Sequence, residues 1–97
     1  MLMVWDPPKR AKNLLSPPDG HGRDFADARD RFEWGSAMVV PSHPGKDGNP
    51  RFLAIGVLDG DLVALVFAPL GTEAVSAISL RTASNRERRA YVAQSEA

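Results

Sequence analysis

Two mostly apolar runs, Phe52 to Leu58 and Leu62 to Ala68, flank the dipeptide Asp59-Gly60 and make the strongest pattern in the chain. Asp-Gly suits a type I′ turn, in which both central residues take positive φ, so this stretch predicts a β-hairpin. Pro69 to Thr72 predicts a second turn and Glu73 to Arg81 a third strand, completing an antiparallel meander. Its two central runs are apolar on both faces. That predicts cover from both sides, one supplied by helices and the other by the final helix or by a partner chain.

The flanks read as helices and short strands. Leu2 to Trp5 predicts a strand, after which Asp6 is a good N-cap and Pro7 stands where proline is favoured, at the first helical position. This helix should reach about Leu15, with Lys9, Arg10 and Lys12 wet and Ala11, Leu14 and Leu15 turned inward. Ser16-Pro17-Pro18-Asp19-Gly20 stops it, since proline lacks a donor and pushes its predecessor out of helical geometry. A loop with His21 and Gly22 follows. Asp24 caps a second predicted helix running through Trp34, in which Phe25, Ala28 and Phe32 share one face and Asp27 can pair with Arg31 at i,i+4. Ala37 to Val40 predicts a strand, and Pro41 to Pro50 a polar, mobile loop.

The end of the chain combines an apolar strand with an Arg-rich helix. Ser84 and Glu87 have the spacing of a capping box, so a helix should begin near Ser84. Arg86, Arg88 and Arg89 crowd its first turns, where the helix dipole favours anions over cations. The arrangement suits a bound phosphate, held by free N–H groups and guanidinium donors. A solvated helix face fits the same residues.

At 97 residues, 43% hydrophobic and 25% charged, the chain suits one globular domain over 1–97, able to bury roughly 65% of its unfolded surface. The absence of cysteine excludes a disulfide scaffold, a thiolate metal site and a thiol nucleophile. Met-Leu-Met-Val-Trp-Asp-Pro-Pro has neither the basic flank nor the apolar segment of a signal peptide. The longest apolar run, Leu62 to Leu70, falls short of the ~20 residues of a spanning helix. The expectation is a cytoplasmic protein with no membrane association. Twelve Lys plus Arg balance 12 Asp plus Glu, so no global basic field draws in nucleic acid. The charge is uneven, however: Arg81, Arg86, Arg88 and Arg89 stand against Glu87 alone, while Asp24, Asp27, Asp30 and Glu33 load acid elsewhere. A local patch of this kind still binds phosphate, with weaker long-range steering than a basic domain.

Trp5-Asp6-Pro7 with Lys9, Asn13-Leu14, His21-Gly22 ahead of Phe25 and Ala28, Arg51 leading a strand with Gly56, and Ile78-Ser79 to Arg81-Thr82-Ala83 followed by Arg86-Glu87-Arg88 and Tyr91 occur in a distinctive order. In this order and spacing the chain resembles the BrnT family, the toxin half of a bacterial type II toxin–antitoxin pair. The resemblance implies an α+β, RelE-like fold: a small antiparallel sheet, made of the meander and short N-terminal strands, packed by two N-terminal helices and one C-terminal helix. It implies an endoribonuclease that cleaves RNA and inhibits translation, and a BrnA-type antitoxin partner through which alone operator DNA is reached. The chain departs from the family pattern at Gly20, where Lys is usual before the His, and in the extra residues Ser16 to Asp19. Ser76 stands where Arg is common, Thr82 where Arg or Lys is, and Phe67-Ala68 where Tyr-Thr is typical.

RNA cleavage without a metal or cofactor needs a base for the 2′-hydroxyl, an acid for the leaving 5′-oxygen and cations around the phosphorane. Histidine is the ordinary proton-transfer residue near neutral pH, which nominates His21; Arg51 and Arg81, rooted on strands, complete the catalytic candidates. Trp5, Lys9 and Arg86 are the RNA-binding candidates, as a stacking face and two charges. Each has a plainer reading. His21 in a Gly-rich loop also suits simple exposure, Arg51 an ion pair with the acidic helix, Trp5 the core, and Glu87 capping rather than base catalysis. His43 reads as loop surface, and no carboxylate at ligand spacing joins the two histidines, so no metal site is expected. The alternative to the toxin is a catalytically weak or inactive module of the same fold that only engages its antitoxin.

Overall fold

In the computed structural model, which describes residues 2–96, the hairpin forms from β3 (Arg51–Leu58) and β4 (Asp61–Leu70). Asp59 at φ 51° and Gly60 at φ 84° supply the two positive angles of its turn. Strand β5 (Ala74–Thr82) runs antiparallel to β4, and β2 (Met38–Ser42) adds to the free edge of β3. The first strand, β1 (Leu2–Trp5), lies parallel to β5, giving the order β1-β5-β4-β3-β2. The α+β class and the meander are as expected; the sheet is mixed rather than wholly antiparallel. A parallel entry is possible because a helical connection of many residues separates β1 from its partner.

Strand alternation divides the sheet into two faces. Met3 and Trp5 of β1, Ala54 and Leu58 of β3, Val63, Leu65 and Phe67 of β4, and Val75, Ala77 and Leu80 of β5 point to one side. Helix α2 (Phe25–Arg31) covers that side with Phe25 and Ala28, and Phe32 follows directly. Phe32 lies flat enough on β3 that a Cβ at Gly56 would stand 2.8 Å from its Cζ, so the glycine permits the close approach. The Asp24 side chain caps α2 by accepting from the Ala26 N–H, and Asp27 pairs with Arg31 at 3.0 Å. Helix α2 ends at Arg31, short of the expected Trp34. Glu33 N–H donates instead to the Val57 carbonyl, and a 3-10 turn, Trp34–Ser36, leads into β2. Strand β2 takes in Pro41 and Ser42, which the sequence assigned to the loop; as the outermost strand it tolerates a proline.

The opposite face carries Leu53, Ile55 and Val57 of β3, Ala64, Val66 and Ala68 of β4, and Ser76 and Arg81 of β5. Helix α3 (Asn85–Ser95) packs against β3 from this side, where Ile55 and Ala64 are buried. Its start is the expected capping box: Glu87 N–H donates to Ser84 Oγ, and Ser84 N–H to the Glu87 carboxylate. Further along, β5 carries a bulge opposite Val66 and Phe67, which makes Ile78 an extra residue. A bulge turns successive side chains toward the same side, and Ile78 and Ser79 both face the part of the sheet that α3 leaves open.

Helix α1 (Pro7–Leu14) starts at the predicted position, although the Asp6 side chain makes no capping bond, and it buries the wrong residues for a helix lying on a sheet. Ala11, Leu14 and Leu15 are exposed, and Asn13 is the buried position at 5%. The reason is its location. Helix α1 abuts the edge of β5 rather than its face, and a strand edge presents N–H and C=O groups that need a polar partner.

Candidate functional site

The open part of the second face holds two hollows of about 480 Å³ and 410 Å³. The first is lined by Lys9, Lys12 and Asn13 of α1, by Asp19, Gly20 and His21 of the loop after it, and by Ile78 and Ser79 of the bulge. The second runs over Ser76, Ile78 and Ala68 to Arg51, Asp47 and Asn49. Lys9 and Ile78 line both, so the hollows meet as one groove.

Three sequence-predicted residues therefore come together along it. His21 stands at one end, Lys9 in the middle and Arg51 at the other. The Arg51 guanidinium has no ion-pair partner among the described residues, so the expected pairing with the acidic helix is not made. Those acids are engaged elsewhere: Asp24 takes both oxygens to Arg10 at 2.8 Å, and Asp27 takes Arg31. Arg51 lies against Gly45, where an added Cβ would come within 2.9 Å of its guanidinium carbon. The surrounding loop is braced by Asp47, which accepts from the backbone and the side-chain N–H of Asn49.

Arg81 faces the same side of the sheet, paired across from Ala64, yet lines neither hollow. Its guanidinium donates twice to Glu87, at 2.6 and 2.9 Å. These bonds, with the Ser84 N–H, hold the Glu87 carboxyl down at about 2 and raise Arg81 further above its ordinary value. Arg86 is exposed on the first turn of α3, outside the groove lining. Trp5 is on the other face altogether. It packs at 6.1 Å from Phe25 and is flanked by Arg10 and Arg29, whose guanidinium carbons lie 5.6 and 5.4 Å from its ring. Its plainer reading, as core, describes its surroundings.

Of the departures from the family pattern, Asp19, Gly20, Ser76 and Ala68 line this groove, whereas Phe67 and Thr82 belong to the other face of the sheet. A Cβ on Gly20 would collide with the Lys12 carbonyl oxygen and come within 2.6 Å of that of Leu15, so no lysine fits the backbone here. The extra residues Ser16 to Asp19 fold the loop back on α1, with Gly20 N–H donating to Ser16 and Gly22 N–H to Leu15. Ser76 and Ala68 floor the second hollow. Thr82 accepts from Arg23 at 3.1 Å, which brings a guanidinium beside a position where the family pattern has a cation.

Sequence reasoning missed Asn13 as more than part of a motif. Its side chain accepts from the Leu80 N–H at 3.0 Å and donates to the Leu80 carbonyl at 2.9 Å and the Arg23 carbonyl at 2.7 Å. A signal was available: a single Asn on a helix whose other residues give no clean apolar stripe.

Among the described residues no helix is long and apolar enough to cross a membrane, and no three His, Asp or Glu side chains cluster as metal ligands. No curated protein matches the chain. A solved structure does: the 1.1 Å crystal structure of the Brucella abortus ribonuclease toxin, BrnT, is 40% identical, with a TM-score of 0.67 over 88% of this chain and 100% of that one. The family described as "Ribonuclease toxin, BrnT, of type II toxin-antitoxin system" matches residues 5–87. The chain thus belongs to the BrnT family of ribonuclease toxins of type II toxin–antitoxin systems.

Proposed function

We propose that the chain is an endoribonuclease that cleaves RNA in the groove over the bulge of β5, inhibits translation, and is neutralised by a BrnA-type antitoxin. The observation that carries this reading is the convergence of His21, Lys9 and Arg51 on one groove with no carboxylate bonded to any of the three. In this assignment His21 moves a proton to or from the reacting 2′- or 5′-oxygen. Lys9 and Arg51 place positive charge along the backbone, where the phosphorane gathers negative charge. Lys12 extends the same cationic wall. Arg81 and Arg86 act further out, Arg86 toward the strand leaving the groove, and Arg81 on a phosphate that must compete with Glu87. Trp5 contributes by seating β1 and α2, not by stacking a base.

Membership of a type II toxin family supports both the RNA substrate and the protein antitoxin, and operator DNA enters only through that antitoxin. Primer extension on an RNA exposed to the purified chain, in the presence of a chelator, tests the chemistry. His21→Ala should lower cleavage by 10²-fold or more, and Arg51→Ala by about 10-fold to 10²-fold. Unchanged cleavage in both would overturn the site. The bidentate hold of Glu87 on Arg81 favours one second reading, a module of this fold that binds its antitoxin without cutting RNA. Normal growth during overexpression, together with antitoxin capture, is the result that would select it.

A further inference from the structure

The only buried polar side chain among the described residues lies at the seam between the groove's two walls. Asn13 sits in the last turn of α1, beyond the point where β1 stops covering the edge of β5. The last paired residues there are Trp5 and Ala77. Past the bulge, the Asn13 carboxamide takes over, accepting from and donating to Leu80 as a neighbouring strand residue would. Its remaining N–H goes to the Arg23 carbonyl, and its own backbone carbonyl accepts from His21 N–H at 3.1 Å and Arg23 N–H at 3.3 Å. One residue is thus bonded on its side-chain side to the strand that floors the groove and on its backbone side to the residue that carries the imidazole.

We propose that Asn13 is a positioning residue for cleavage: it fixes His21 against the Ile78–Ser79 floor, and acts only through that placement. The inference rests on the ribonuclease reading above. The loop around His21 is tied by its backbone to the end of α1 and the residues just after it, Gly20 N–H to Ser16 and Gly22 N–H to Leu15, so its place over β5 follows wherever that end of α1 sits. Without the carboxamide, Leu80 N–H and two carbonyls lose their partner, and the last turn of α1 is free to drift from β5. Misplacing a reacting group by about 1 Å costs on the order of 10²-fold in rate.

The test compares Asn13→Ser, and Asn13→Asp should the first fold poorly, in wild-type and His21→Ala backgrounds. Under single-turnover conditions, Asn13→Ser should slow cleavage by about 10²-fold while RNA affinity changes by less than about threefold. In the His21→Ala background the same substitution should cost less than about threefold, because residues acting through one another are not additive. An equal loss in both backgrounds, or a loss matched by the fraction of unfolded protein, would overturn the proposal. Amide exchange of His21 by NMR gives a readout independent of activity. It should accelerate at least tenfold in the variant while the amides of β3 and β4 stay protected. A wild-type chain that cuts no RNA would remove the ribonuclease reading, and the exchange comparison would still decide whether Asn13 anchors His21.

Discussion

Glu87 accepts two hydrogen bonds from Arg81 and one from the Ser84 N–H, and these hold its carboxyl at about 2 against an ordinary 4.5. Asp24, bonded to Arg10, is held at about 2 against 3.8. A carboxyl whose pKa is lower folded than unfolded stabilises the fold above its unfolded pKa, and that contribution is lost as pH falls toward the folded one. Stability to urea should therefore decline between about pH 4.5 and pH 2. Glu87→Gln should lower the melting temperature at pH 7 by about 5 °C and flatten that decline. A variant as acid-sensitive as the wild type would show that the Arg81 pair contributes nothing to folding. Both pairs also settle where cations are spent. Arg81 was nominated by its place at a strand end, but only the fold reveals that the capping glutamate six residues later reaches back to it.

Helices α1 and α2 differ in what their sequences disclose. In α2 the apolar spacing of Phe25 and Ala28, continued by Phe32 just beyond its end, gives the buried face directly, because that helix lies across a sheet and needs an apolar stripe. Helix α1 has to satisfy a strand edge, so its buried residue is an amide and its leucines are left in water. Apolar periodicity has no term for that. The two cases predict opposite responses to truncation. Phe25→Ala should cost about 3–5 kcal/mol, whereas Leu14→Ala and Leu15→Ala should stay within about 0.5 kcal/mol. Denaturant titration of the three variants measures both. The hairpin was the most legible element, since Asp59-Gly60 names its own turn type, and the capping box was next. The bulge at Ile78 was invisible, because it depends on the register of β4 against β5 and on nothing local to either strand.

Across the whole molecule the acidic and basic residues cancel, so the RNA binding proposed above rests on a few cations in one groove rather than on a general field. With Lys9, Lys12 and Arg51 each meeting one phosphate, log K should fall with log salt at a slope of about −2 on single-stranded RNA, and Lys9→Ala should reduce it by about 0.7. Filter binding over a salt series checks this. A slope that Lys9→Ala leaves unchanged would mean that Arg86, Arg88 and Arg89 carry the RNA instead, and one near about −4 that both sets of cations do. The groove itself was half legible: Lys9, His21 and Arg51 were named from motifs, while Trp5 proved to stand behind the sheet, because a strand residue's face is set by pairing. That pairing has a consequence for timing. Leu2 lies beside Ala74, so β1 waits, unpartnered, until β5, the last strand of the sheet, has been made, and the Asn13 amide waits with it for Leu80. Whatever chemistry the groove carries stays switched off in every nascent chain that stops short of β5.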